Sequence, residues 1–243
     1  MKYKSIIFVV LIIISVANAF GQDRDADEYQ TEFIWGINKN TAGGLIGGFV
    51  FRKSYQINER LFQSYGLEVM NVKHPQEFQL RRNTGTNAFI LGKVNYLYAL
   101  RFQYGREMIL FKKAPQQGVE IKLNAAVGPS LGLLAPYYIE IRVQGNDFNT
   151  IRVPYDPSEH DASNDIVGSG YILQGITESK LRIGANFKMS LSFELGTSKN
   201  NVTGFEAGFL VDAYTQEIEL MSAADNRALF PTAFITLFYG TRR

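Results

Sequence analysis

Three observations predict an all-β fold: an eight-stranded antiparallel transmembrane β-barrel of up-and-down topology, preceded by a cleaved signal peptide. The first is alternation. Over residues 180–195, KLRIGANFKMSLSFEL, one set of positions carries Leu181, Ile183, Ala185, Phe187, Met189, Leu191, Phe193 and Leu195. The other carries Arg182, Gly184, Asn186, Lys188, Ser190, Ser192 and Glu194. A strand sends successive side chains to opposite faces, so this segment has one apolar face and one face of charges and small residues. It is longer than the ~9–11 residues a tilted strand needs to cross a bilayer. The second is the make-up of the polar faces. Charge mixed with Gly, Ala and Ser suits the interior of an eight-stranded barrel, which side chains just fill. A barrel built to receive an apolar ligand would keep its charges outside. The third is the rhythm of the connections. Those beginning near 56, 112 and 196 are short, while those on the other side, beginning near 41, 74, 143 and 222, are longer apart from the first, the asymmetry of periplasmic turns and outer loops.

The chain opens on an address. Lys2 and Lys4 form a basic start, Ile6 to Val16 is apolar, and Ala17-Asn18-Ala19 supplies the A-x-A pattern of a cleavage site, so residues 1–19 are expected to be removed. The apolar run is shorter than the ~20 residues of a membrane-spanning helix. Residues 20–243 are then expected to form a single outer-membrane β-barrel domain. With no Cys, the chain has no disulfide, thiolate chemistry, Cys-ligated zinc or lipid-modified Cys. A formal net charge of +2 gives no electrostatic footprint for nucleic acid.

The strand candidates follow in order. Residues 31–38 set Phe33, Trp35 and Ile37 on one face, and 40–44 (NTAGG) have the chemistry of a tight turn. Residues 45–55 return. Residues 61–73 set Tyr65, Leu67 and Val69 against Ser64, Gly66 and Glu68, and a polar loop follows over 74–86. Residues 89–111 read as one long strand, with Ile90, Tyr96, Tyr98, Leu100 and Phe102 opposing Lys93, Asn95, Arg101 and Gln103. Residues 119–134 oppose Val119, Ile121, Leu123 and Val127 to Glu120, Lys122 and Asn124. A long polar connection then covers 143–179. After the central strand, 202–221 set Phe205, Ala207, Phe209 and Val211 against Gly204, Glu206, Gly208 and Asp212. Residues 230–239 close the series with Ala233, Ile235, Leu237 and Tyr239 on one face. An even strand count returns both termini to the periplasmic side.

Two constellations carry charge or chemistry. Lys93, Arg101, Glu120, Lys122, Arg182, Lys188, Glu194, Glu206 and Asp212 fall on the polar faces and predict a structural charge network in the lumen. An unpaired charge there would cost several kcal/mol, so mutual neutralisation is expected. The competing reading is a narrow, anion-preferring channel. His160 sits in Asp156-Pro157-Ser158-Glu159-His160-Asp161, a cluster that an outer-leaflet hydrolase or acyltransferase would use for a base and its orienting carboxylate. A solvated loop of turn residues explains the same run without chemistry. His74, before Pro75, reads as a strand end. No catalytic, cofactor-binding or metal residue is assigned, and the glycines from Gly43 to Gly48 lack the spacing of a dinucleotide loop.

The stretches GINKNTAGGLIGG (36–48), GLEVMNVKHPQE (66–77) and ILGKVNYLYALRFQYG (90–105) resemble the small outer-membrane β-barrel proteins of Bacteroidota-type bacteria, the PorT-like group. That resemblance spans the chain beyond the signal peptide and implies a non-enzymatic, structural or adaptor role in the cell outer membrane. It implies association with PorT-like protein secretion or gliding machinery. The partners implied are outer-membrane lipid, the barrel insertion machinery and other envelope or secretion proteins. The chain departs from such barrels in ending Tyr239-Gly240-Thr241-Arg242-Arg243 rather than on an aromatic, so any insertion signal falls to Phe238 and Tyr239.

Overall fold

Period-two alternation of apolar and polar residues organises the whole chain. In a computed structural model, residues 29–77, 79–80, 88–112, 118–143, 146–160, 166–195, 200–222 and 225–243 are described, and residues 1–19, expected to be a signal peptide, lie outside them. The strands are β1 (Thr31–Asn40), β2 (Gly43–Asn58), β3 (Leu61–Val72), β4 (Gln79–Leu80), β5 (Phe89–Ile90), β6 (Asn95–Phe111) and β7 (Glu120–Pro136). There follow β8 (Tyr138–Val143), β9 (Asn146–Pro154), β10 (Ile166–Ser169), β11 (Lys180–Glu194), β12 (Asn201–Ile218) and β13 (Arg227–Arg242). Eight of these close into a barrel in the order β1-β13-β12-β11-β7-β6-β3-β2, each antiparallel to the strand before it.

The stagger of the barrel can be read from its register. A walk perpendicular to the strands from Gly184 passes Ser130, Arg101, Glu68, Val50, Gly36, Phe238 and Gly204. It re-enters β11 at Glu194, ten residues from its start. Closure with stagger requires tilted strands, typically by ~35–45°. Both described ends of the chain lie at one end of the barrel, where the Gln30 and Thr31 N–H groups donate to the Arg243 carbonyl at 2.9 and 2.8 Å.

Side chains are distributed inside out. Outward, Phe33, Trp35 and Ile37 on β1, Phe187 and Met189 on β11, and Leu237 on β13 are exposed, with Phe209 on β12 at 71%. Inward, Glu32, Arg52, Glu68, Arg101, Lys188, Glu206 and Asp212 are buried. Aromatics gather near the terminal end of the outer wall: Trp35 meets Tyr239 edge-on at 6.1 Å, and Tyr65 lies 6.3 Å from Tyr55 and 5.5 Å from Tyr104.

Two expectations are corrected. Residues 89–111 do not form one strand. Gly92, at φ +76°, turns the chain, β5 pairs with β4, and β6 begins only at Asn95. Nor is 143–179 simply an irregular polar connection. Together with the end of the preceding segment it builds a three-stranded sheet in the order β10-β8-β9, followed by a 3₁₀ turn at Ile176–Glu178. Ile139 and Ile166 from this sheet join Phe89, Leu97, Ile218 and Leu220 in an apolar core that fills the loop-bearing end of the barrel.

Candidate functional site: the barrel interior

Inward positions on five barrel strands, β2, β3, β6, β11 and β12, bring oppositely charged groups together at mid-height. Arg101 on β6 donates from Nε to both carboxylate oxygens of Asp212 on β12, each at 3.0 Å, and its Nη2 lies 2.5 Å from Oδ2. Its Nη1 reaches Glu68 of β3 at 3.4 Å. Lys188 of β11 contacts Glu68 at 2.5 Å and Glu206 of β12 at 3.2 Å. Arg52 of β2 joins Glu206 at 2.9 Å to Glu107 of β6 at 3.0 Å. The result is one chain of alternating sign: Glu107, Arg52, Glu206, Lys188, Glu68, Arg101, Asp212. Hydroxyls take up remaining acceptor capacity, with Ser54 donating to Glu107, Ser190 to Glu206 and Ser130 to Asp212 at 2.8, 2.5 and 2.9 Å. The links from Arg101 to Asp212, from Lys188 to Glu68 and from Arg52 to Glu206 and Glu107 join strands that are not neighbours in the barrel, so they brace its cross-section.

A second cluster closes the terminal end. Lys122 of β7 donates to Glu32 of β1 at 3.0 Å and lies 3.4 Å from Glu120. Arg242 of β13 donates to Glu32 at 2.7 Å, to Glu120 at 3.0 Å and to Glu194 of β11 at 3.0 Å. Tyr29 lies beneath, its hydroxyl donating to Glu120 at 3.3 Å and its ring stacked on Phe62 at 4.9 Å. Burial raises the Tyr29 phenol well above its ordinary range, so it remains a donor. Each cluster holds one more carboxylate than cations, three cations to four above and two to three below. That balance opposes an anion-preferring lumen.

Between the clusters, Arg52, Ser64, Gly66, Gln103 and Asn124 line a cavity with room for about one water. Neither polar atom of the buried Asn124 amide has a partner among the described residues, which makes this a polar cavity rather than a dry one.

Of the nine predicted network positions, Arg101, Glu120, Lys122, Lys188, Glu194, Glu206 and Asp212 lie in the two clusters. Lys93 does not. The turn at Gly92 carries it into the loop-bearing end, where it meets Glu77 at 2.7 Å. Burial there lowers its ammonium pKa, with Glu77 opposing the shift. Arg182 faces inward but sits at the loop-side rim and donates to Gln216 at 2.5 Å. Sequence reasoning missed Glu32, Arg52, Glu107 and Arg242 as network members, and named Glu68 only as a polar-face residue. Parity carried across each whole strand reaches Arg52 and Glu107.

Among the described residues, which do not include Asp161 of the predicted cluster, His160 does not assemble a catalytic arrangement. Its Nδ1 lies 3.1 Å from the Asp156 carbonyl, and its ring stacks on Tyr155 at 6.2 Å. The Asp156 carboxylate is occupied by the hydroxyl and N–H of Ser158, at 2.6 and 2.8 Å, and those bonds hold it below the usual carboxylate range. The cluster therefore reads as a self-capped turn. His160→Ala is expected to leave unfolding in liposomes, membrane lipid composition and surface proteolysis unchanged, and loss of a lipid modification in that variant alone would restore the enzyme reading.

Fold and interior define a class: a closed eight-stranded β-barrel with an apolar outer wall and a lumen occupied by its own side chains. No family model matches the chain, and no curated protein matches it. Among solved structures, the barrel is similar to Neisserial surface protein A, with 11% identity, a TM-score of 0.42, and coverage of 90% of this chain and 100% of that one. It is also similar to Ail, the attachment invasion locus protein of Yersinia pestis, with 8% identity, a TM-score of 0.42 and coverage of 89% and 100%. The N-terminal β-barrel domain of Pseudomonas aeruginosa OprF matches with 9% identity, a TM-score of 0.33 and coverage of 88% and 98%. At these identities and scores, the likeness says nothing about function.

Proposed function

We propose that this chain is a non-enzymatic barrel of the cell outer membrane, with both termini periplasmic and a structural or adaptor role in the envelope. The observation that carries the reading is the inversion of polarity, with charges buried inside and Phe209, Leu237 and their neighbours exposed on the wall. In water that wall would be an aggregation surface; in a bilayer it faces hydrocarbon. On β6 the outward wall from Tyr98 to Arg106 spans roughly 20 Å at strand rise and barrel tilt, comparable to the ~25 Å apolar band of such barrels. Lys53 and Arg106 lie over the rings of Tyr55 and Tyr104 at 5.2 and 5.7 Å, the pairing expected where a wall meets headgroups. The lipid of that membrane and the barrel insertion machinery are the partners this reading requires.

The narrower role, in a PorT-like secretion or gliding assembly, is supported by the resemblance of residues 36–48, 66–77 and 90–105. Those stretches fall on β1, β2, β3 and β6, four successive neighbours in the ring, near its loop-bearing end. They would give a partner one continuous face.

The test begins with fractionation. The protein is expected in outer membranes, migrating faster on gels unheated than boiled, and inactive in planar bilayers because the apolar core and the charge clusters fill the lumen. Recovery from the periplasm without detergent would overturn the membrane reading, and stable unitary currents would overturn the filled-lumen reading. Envelope proteins co-purifying in mild detergent would identify the assembly.

A further inference from the structure

Residues 170–179 connect the outer sheet to β11 and lie against the barrel's outer wall. Gly170 N–H donates to the Tyr138 carbonyl at 2.8 Å. Tyr171 and Gln174 close a turn on each other: Gln174 N–H donates to the Tyr171 carbonyl at 3.0 Å, and Tyr171 N–H to the Gln174 side chain at 3.1 Å. Gly175, at φ +83°, then directs the chain into the 3₁₀ turn, which Tyr138 holds by donating to Glu178 at 2.9 Å. This closed turn presents Tyr171, Ile172 and Leu173 at 67, 67 and 61% exposure. Three successive large apolar residues are costly to leave in water and mark a contact surface.

The neighbours of the turn say what covers it. The hydroxyl of Tyr98 donates to the Ile172 carbonyl. Tyr98 is on the outward face of β6, in register with Leu133 of β7 and through it with Leu181 of β11. The turn therefore sits level with the last apolar row of the wall and continues it sideways. Arg152 of β9 lies 4.1 Å over the Tyr171 ring, repeating on the loop side the cation and tyrosine pairs at Tyr55 and Tyr104 on the terminal side.

We propose that the Tyr171-Ile172-Leu173 turn is a foot that rests in the headgroup layer of the outer leaflet and seats the three-stranded outer sheet on the membrane surface, with Arg152 meeting lipid phosphate. The proposal rests on the membrane reading above. The chain has one tryptophan and no cysteine, which makes both readings measurable. In a Trp35→Phe background, Ile172→Trp reports the foot and Phe209→Trp reports the mid-wall. Each is reconstituted into phosphatidylcholine and phosphatidylglycerol vesicles whose chains are brominated either near the ester or near the terminal methyl. The foot tryptophan should be quenched severalfold more by the shallow bromines, and the wall tryptophan more by the deep ones. Quenching at position 209 without quenching at 172 overturns the foot and leaves the membrane reading standing. Absence of quenching at both overturns both.

Because tryptophan itself favours interfaces, Leu173→Cys supplies a second measurement. In vesicles it should react with a water-soluble maleimide several times more slowly than Ser158→Cys on the exposed turn. Equal rates overturn the foot.

Discussion

Arg101→Leu is expected to destabilise the barrel by about 3–5 kcal/mol, read as a lowered urea midpoint in liposomes. Arg101 is buried at the centre of the alternating chain, and its guanidinium satisfies both oxygens of Asp212 as well as Glu68. Without it Glu68 retains Lys188, but Asp212 retains only the hydroxyl of Ser130 among its described partners. A carboxylate left buried with one neutral donor dominates the loss. Adding Asp212→Leu to Arg101→Leu should therefore recover a large part of the stability, because the stranded charge goes with it. If the single substitution unfolds within the error of the parent, or the double variant is the sum of its parts, the interior does not hold these charges as a coupled network.

Met189→Arg should cost about 2–4 kcal/mol, because Met189 lies mid-strand on the outward face, near the centre of the apolar band. Met189→Leu should cost less than about 1.5 kcal/mol, since volume and polarity are kept. A similar loss for both would mean that the position is packed rather than lipid-facing. Parity alone makes the neighbouring Ser190→Ala look harmless, as a small inward residue losing one oxygen. The structure reverses that expectation: its hydroxyl donates to the carboxylate of Glu206 at 2.5 Å, a bond to a charged group of about 1.5–3 kcal/mol.

Alternation made the barrel legible, because one period describes a strand whatever its ends do. It set Phe187 and Met189 outside and Lys188 and Ser190 inside before any pairing was known. Three kinds of residue escaped it. Arg52 stands beside Lys53, and two adjacent basic residues look like surface until parity from Phe49 and Phe51 is carried past them. Glu32 and Arg242 lie at the outer ends of the first and last strands, and only ring closure, which no local pattern contains, puts them together. The outer sheet was missed because its strands are short, so its buried Ile139 and Ile166 never repeat often enough to show a period. Lys93 failed for a different reason: a single left-handed glycine moved it off the strand that parity assumed.

The seam between β1 and β13 has a consequence for how the barrel is completed. Glu32 and Arg242 come from opposite ends of the chain and meet in register across that last pair. The same guanidinium also takes Glu120 and Glu194 from two other strands. In a sheet opened at this seam, Glu32 and Arg242 would stand on its two edge strands, apart from each other and open to water. Closure strips their water and supplies their partners in a single event. A slip of one residue at the seam would turn Arg242 to the outer face and leave three carboxylates facing one lysine. The pairing that finishes the ring thus also proofreads it, rewarding the correct register where the first and last strands meet.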